Sequence, residues 1–224
     1  MVRIRVSTSV YLDTNALIYA NFYLKRPKEA RDFDYYKEGA SVVQALTRCR
    51  EQGCRVFSTD LAYMEMHHNY YEWARLKQAL ELGAPPGMLF GEGRRMDAEF
   101  LKQPLKSDLQ QKVLDDTVGW LETWDFRDCV EFKQPGQMPT WFPIARCIYA
   151  HYMATVVDCL HLAAAIALEC NYFLTQDERL RILIAEMRKD RAFRAALRTD
   201  FGLPRDYGLP DAAKAQSLLS SPRK

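Results

Sequence analysis

The sequence contains no C-x-x-C pair. Its six cysteines, Cys49, Cys54, Cys129, Cys147, Cys159 and Cys170, are scattered along 224 residues, a spacing that argues against a structural zinc site. Several fall in apolar runs, where a thiol packs as a small hydrophobe. No apolar run reaches the ~20 residues needed to span a bilayer, so no membrane helix is expected. The opening MVRIRVSTSV has no long apolar region of the secretory kind. These features fit a reducing cytoplasm best. Net charge is also small, at +2, which neither demands nor excludes a nucleic-acid partner.

What is present is enough for one large domain with a real core: 48% of residues are apolar and 27% charged. The charge is unevenly placed. Met96 to Glu131 holds nine acidic and four basic residues, net −5, and Glu178 to Arg198 holds seven basic and three acidic, net +4. Each reads first as a solvated helix face. The basic stretch also suits a phosphate backbone.

Ser9 to Leu12 is short and β-rich, and Asp13 closes it. Asn15 to Leu24 and Gly39 to Gln52 read as helices, the second stopped by Gly53. Cys54 to Thr59 is a second strand, and Thr59 or Asp60 caps the helix that carries Leu61, Met64, Glu65, Tyr71 and Trp73. Gly83 to Gly93 breaks the pattern, Ser107 to Trp124 is helical again, and KQPGQMPTWFP is a loop. Val156 to Glu169 is apolar nearly all round, which predicts a helix buried on most sides. NYFLT is a third strand, with Asp177 just after it. Short strands alternating with helices imply an α/β fold with a mostly parallel sheet. RAFRAALRTDFGLPRDYGLPDAAKA reads helical and then irregular, and Ser217 to Lys224 reads as a frayed end.

Asp13 and Asp177 each follow a strand, and Glu65 begins the helix after another. The carboxyl ends of parallel strands share one edge, where α/β proteins bind ligands. Asp158, at the amino end of a helix feeding a strand, can face the same edge. Clustered carboxylates cannot all stay ionised without a counter-charge. A hard divalent cation with oxygen ligands supplies one, and magnesium needs only a few carboxylates because it keeps water. Taken singly, Asp13, Glu65 and Asp177 are each explained more cheaply as helix caps or first-turn acids. Asp158 is harder to dismiss, because a carboxylate inside VVDCLHLAAAIA needs a partner or a metal, burial of an unpaired charge being costly.

YLDTNALIY, Glu65 in STDLAYMEMH, and VVDCLHLAAAIALECNYFLTQDERL, in that order, resemble the PIN domain. That family includes metal-dependent ribonucleases and VapC-type toxins. The resemblance runs from Val10 to about Arg181 and is weak between Arg75 and Tyr152. It implies a three-layer α/β/α fold over residues 1–200, a helical insertion at about 77–150, and an irregular tail at 201–224. Carried over residue by residue, it makes Asp13, Glu65, Asp158 and Asp177 the metal-binding catalytic acids, with Asn15 and Thr175 as hydrogen-bonding supports. It implies Mg2+ or Mn2+, in-line hydrolysis of RNA phosphodiester bonds leaving a 3′-hydroxyl, a homodimer and, for a toxin, an antitoxin that blocks the acidic crevice. Two departures stand out: Glu65 and Asp158 are 93 residues apart, and no β-rich segment follows Asp177 where a last strand is expected.

Arg179 and Arg181 are equally well read as phosphate contacts or as solvated charges. His67 and His68 are adjacent, so they cannot both face a metal with Glu65. His161 reads as a buried, hydrogen-bonded histidine, and Tyr70, Tyr71 and Trp73 as core. Two alternatives stand beside the nuclease. One is a catalytically inactive PIN-like scaffold binding RNA or protein, although all four acids are present. The other is a phosphatase of the haloacid dehalogenase type with Asp13 as nucleophile. That chemistry wants a second aspartate two residues on, where this chain has Asn15.

Overall fold

The first strand, β1 (Ser9–Leu12), is buried on both sides, as a central parallel strand must be. It runs directly into α1 (Thr14–Lys25). In the computed structural model, residues 8–25, 34–84, 103–123, 129–204 and 207–213 are described. Most of the Gly83–Gly93 stretch and the frayed end at Ser217–Lys224 lie outside them. Next come α2 (Asp34–Glu51) and β2 (Arg55–Thr59). Gly53, at φ 67°, ends α2. Its N–H bonds the Arg50 carbonyl, and the Cys54 N–H bonds that of Cys49, the paired bonds of a left-handed helix stop.

After β2 the chain forms α3 (Asp60–Glu81) and α4 (Ser107–Thr123), then β3 (Val130–Lys133) and α5 (Trp141–Tyr152). It continues through α6 (Val156–Ala167), β4 (Tyr172–Leu174), α7 (Glu178–Lys189), α8 (Arg191–Phe201) and β5 (Asp211–Ala213). The five strands form one all-parallel sheet in the order β3-β2-β1-β4-β5. The architecture is three-layer α/β/α, as the alternation of strands and helices predicts.

Side chains alternate across the sheet. Phe57, Tyr11 and Phe173 are register partners and form an aromatic row on one face, packed with Ile144, Ile148, Leu162, Ile166, Ile184 and Phe193 of α5 to α8. Val10 and Leu12 point the other way, the side on which α1 and α2 supply the buried Leu17, Val42 and Leu46. These two helices approach closely at Gly39, where any Cβ would collide with the Tyr19 carbonyl. Glycine is the residue that permits such an approach.

The chain divides into two compact units, Met1–Ala62 with Asp125–Lys224, and Tyr63–Trp124. The sheet belongs wholly to the first. The second has its own small core, in which Leu105, Leu109 and Val113 meet Tyr70, Tyr71 and Ala74. Trp73 is 45% exposed and so is not core.

Two sequence expectations need correction. The insertion was placed at about 77–150, but Val130–Lys133 pairs with β2 in the main sheet, and α5 packs on that unit's core. VEFK carries two charges and lacks the apolar run of a central strand because β3 is an edge strand, where charge discourages further pairing. The expected missing last strand is present as Asp211–Ala213, inside the stretch assigned to an irregular tail. Three residues, DAA, carry no β signal of their own. Their order comes from pairing with β4.

Candidate active site

The strand order reverses between β1 and β4: from β1 the chain moves to β2 on one side, and later to β4 on the other. A crevice opens at the carboxyl ends of the two strands where such a reversal occurs. Asp13 and Thr175 follow these strands directly, after the register pair Leu12 and Leu174. The Asp13 N–H continues the ladder by donating to the Leu174 carbonyl at 3.1 Å.

Asp13 is only 4% exposed and Thr175 is fully buried. The Thr175 hydroxyl donates to Oδ2 of Asp13 at 2.7 Å, and its oxygen accepts the Asp177 N–H at 3.0 Å. Asp177 in turn caps α7, its Oδ1 accepting from the N–H groups of Arg179 at 2.8 Å and Leu180 at 3.3 Å. One hydroxyl thus joins two acidic residues on either side of the switch point.

Asp158 lies in the first turn of α6. Its N–H donates to Oγ1 of Thr155, the N-cap, at 3.1 Å. The residue is half-buried rather than buried, so the argument from a buried charge does not apply to it. At a helix amino terminus a carboxylate is favoured by the helix dipole. Its carboxylate carries no hydrogen bond or ion pair among the described residues.

Glu65 is half-buried on α3 and belongs to the second unit, where its carbonyl accepts from the Asn69 side chain at 2.9 Å. His67 is half-buried and meets Thr117 Oγ1 at 3.3 Å, while His68 is exposed. Asn15 is exposed on α1 and makes no hydrogen bond among the described residues, because the second helical position turns its side chain outward. Arg179 is exposed, and Arg181 is paired with Glu178.

His161 is buried and hydrogen-bonded, as its sequence predicts, but sequence reasoning missed the partners it joins in a polar network beneath this edge. His161 on α6 places Nδ1 2.7 Å from the Tyr11 hydroxyl and Nε2 3.1 Å from Thr14 Oγ1. The Tyr11 hydroxyl also meets Thr59 Oγ1 at 3.1 Å. A usable signal existed. Tyr11 is the polar-tipped member of an apolar strand, and a buried tyrosine hydroxyl seeks a partner.

The acids at this edge offer oxygen donors only, a chemistry suited to Mg2+ or Mn2+ and not to zinc. Among the described residues no three His, Cys, Asp or Glu side chains are grouped so as to hold a metal ion. No described helix is long and apolar enough to cross a membrane. No family model matches this chain, and no curated protein matches it.

Proposed function

We propose that this protein is a metal-dependent hydrolase of RNA phosphodiester bonds, with Asp13, Asp158 and Asp177 of the first unit as its acidic centre. The observation that carries the reading is the Asp13–Thr175–Asp177 bridge at the topological switch point. The resemblance of the YLDTNALIY and VVDCLHLAAAIALECNYFLTQDERL stretches to PIN domains supplies RNA as the substrate class.

When bound, Mg2+ or Mn2+ supplies an activated water and neutralises charge developing on the phosphate. The chain's own part is to hold negative oxygens at a fixed place. Thr175 locks the Asp13 carboxylate in one orientation. The Asp177 carboxylate is held against the start of α7 by two backbone N–H groups. Asp158 is half-buried, its carboxylate uncommitted among the described residues. Arg179, two residues after Asp177 and exposed, is the cation this reading assigns to a substrate phosphate.

A second reading, an inactive RNA- or protein-binding scaffold, is favoured by the lack of a three-ligand group among the described residues. RNA cleavage with and without Mg2+ or Mn2+, comparing wild type with Asp158→Asn, separates the two. The nuclease requires cleavage that depends on metal and is lost in the variant. RNA binding without cleavage in both proteins selects the scaffold, and equal cleavage by both removes Asp158 from the chemistry.

A further inference from the structure

Four buried polar side chains from four elements meet beneath the carboxyl edge of the sheet. Tyr11 and Thr59 are 0% exposed, His161 1% and Thr14 4%. Tyr11 lies on β1, two residues before Asp13, and Thr14 opens α1, one residue after it. Thr59 ends β2, and His161 lies on α6, three residues after Asp158. Residues three apart on a helix share a face. The imidazole therefore touches the chain on both sides of Asp13 while belonging to the helix turn that carries Asp158.

The bonding is consistent around the ring. With Nε2 protonated, it donates to Thr14, the Tyr11 hydroxyl donates to Nδ1, and Thr59 donates to Tyr11. With Nδ1 protonated, every direction reverses. Either tautomer satisfies both ring nitrogens, as a buried histidine requires. An apolar residue of similar size would fill this space and leave α6 held to the β1–α1 corner by apolar packing alone, without directional bonds.

We infer that His161 is a positioning residue for the candidate active site, fixing the spacing between the Asp13 and Asp158 carboxylates through its paired bonds to Tyr11 and Thr14. The inference rests on the metal-site reading above. It needs no ionisation of the histidine, and the imidazole itself contacts neither metal nor substrate.

Mn2+ binding to the folded protein, followed by electron paramagnetic resonance, tests it alongside melting temperature without metal. The proteins are wild type, Asp158→Asn, His161→Leu, His161→Gln and Thr14→Val. Asp158→Asn should remove saturable binding. His161→Leu should weaken Mn2+ affinity about tenfold, the lower end of what loss of a supporting hydrogen bond near a metal site costs. Thr14→Val, which keeps the shape and loses the same bond from its other end, should weaken it similarly. His161→Gln should restore most of the affinity, because its terminal amide reaches the place of Nε2.

A purely structural histidine would lower the melting temperature of His161→Leu and leave Mn2+ affinity at the wild-type value, which overturns the inference. A glutamine variant as weak as the leucine one also overturns it, since the bond to Thr14 would then not be the agent. Wild type without saturable Mn2+ binding, or Asp158→Asn binding as wild type does, shows instead that the metal-site reading itself has failed. If His161→Leu does not fold, Thr14→Val decides the question on its own.

Discussion

Thr175 donates its hydroxyl hydrogen to Oδ2 of Asp13 at 2.7 Å, joining residues 162 positions apart in sequence. Its oxygen also accepts the Asp177 N–H. The same small group therefore serves two sides of the crevice, and its removal should be felt at both.

Thr175→Val keeps the shape and deletes the hydroxyl. A buried carboxylate then loses a donor, and the Asp177 N–H loses its acceptor. Hydrogen bonds to charged groups are worth about 1.5–3 kcal/mol, and a loss in that range is expected in urea denaturation. Thr175→Ser retains both bonds and should lose only about 1 kcal/mol for one methyl group. On the nuclease reading, serine keeps metal-dependent cleavage and valine loses most of it.

Asp177 has two separable jobs. Its Oδ1 accepts two backbone N–H groups at the start of α7, a role that asparagine fills about as well. Its negative charge is what a cation would require, and asparagine lacks it. Asp177→Asn should therefore unfold at nearly the wild-type urea concentration and have little RNA cleavage left. Asp177→Ala should lose the cap as well, at a cost of about 1 kcal/mol. If the asparagine variant cleaves RNA as wild type does, Asp177 is a cap and nothing more.

This division explains why the sequence was readable in some places and not in others. Strands β1, β2 and β4 are buried, so their apolar runs declare them, and the acids at their ends stand out by contrast. Strands β3 and β5 lie at the sheet's edges, where VEFK and DAA need no apolar signature. Asp158 was over-read: its neighbours along the chain are apolar, but the amino end of α6 emerges half-exposed with Thr155 as its cap. That His161 is buried and hydrogen-bonded is legible in the sequence, but its partners Tyr11 and Thr14 are not, because they lie 150 and 147 residues away. Only the fold brings them together.

The thiols predict an alkaline limit. Burial pushes the Cys49 and Cys170 thiols up to about 12, because ionising them would place a charge in an apolar interior. An unfolded thiol ionises near its ordinary value. The folded state therefore gains stability that is fully present below the ordinary thiol range and is lost as pH rises toward about 12. Melting temperature should fall between pH 8 and pH 10, and Cys170→Ala should fall less steeply, even if it starts lower. The thiols of Cys49 and Cys170 should also resist alkylation at pH 8 until denaturant is added. Rapid labelling of either in the native protein would contradict their burial.

The two ends of α6 are approached through left-handed backbone that side chains disfavour. Met153, at φ 49°, precedes it, and Glu169, at φ 51°, follows it. Met153 is 81% exposed, so its side chain buries almost nothing that glycine would lose. Its N–H, which bonds the Tyr149 carbonyl, is kept by any substitution except proline. Glu169 is likewise exposed, and the Ser9 hydroxyl bonds its backbone carbonyl, not its side chain. The left-handed conformation costs an ordinary residue about 1–2 kcal/mol, partly offset in glycine by the greater freedom of its unfolded chain. Met153→Gly and Glu169→Gly should each stabilise the protein by about 0.5–1 kcal/mol in urea denaturation. The two residues flank opposite ends of one helix and share no partner, so the gains should add. Stabilisation by Glu169→Gly together with loss from Met153→Gly would mean that the exposed thioether, three residues before Val156 and five before Asp158, makes a contact worth more than the strain it imposes.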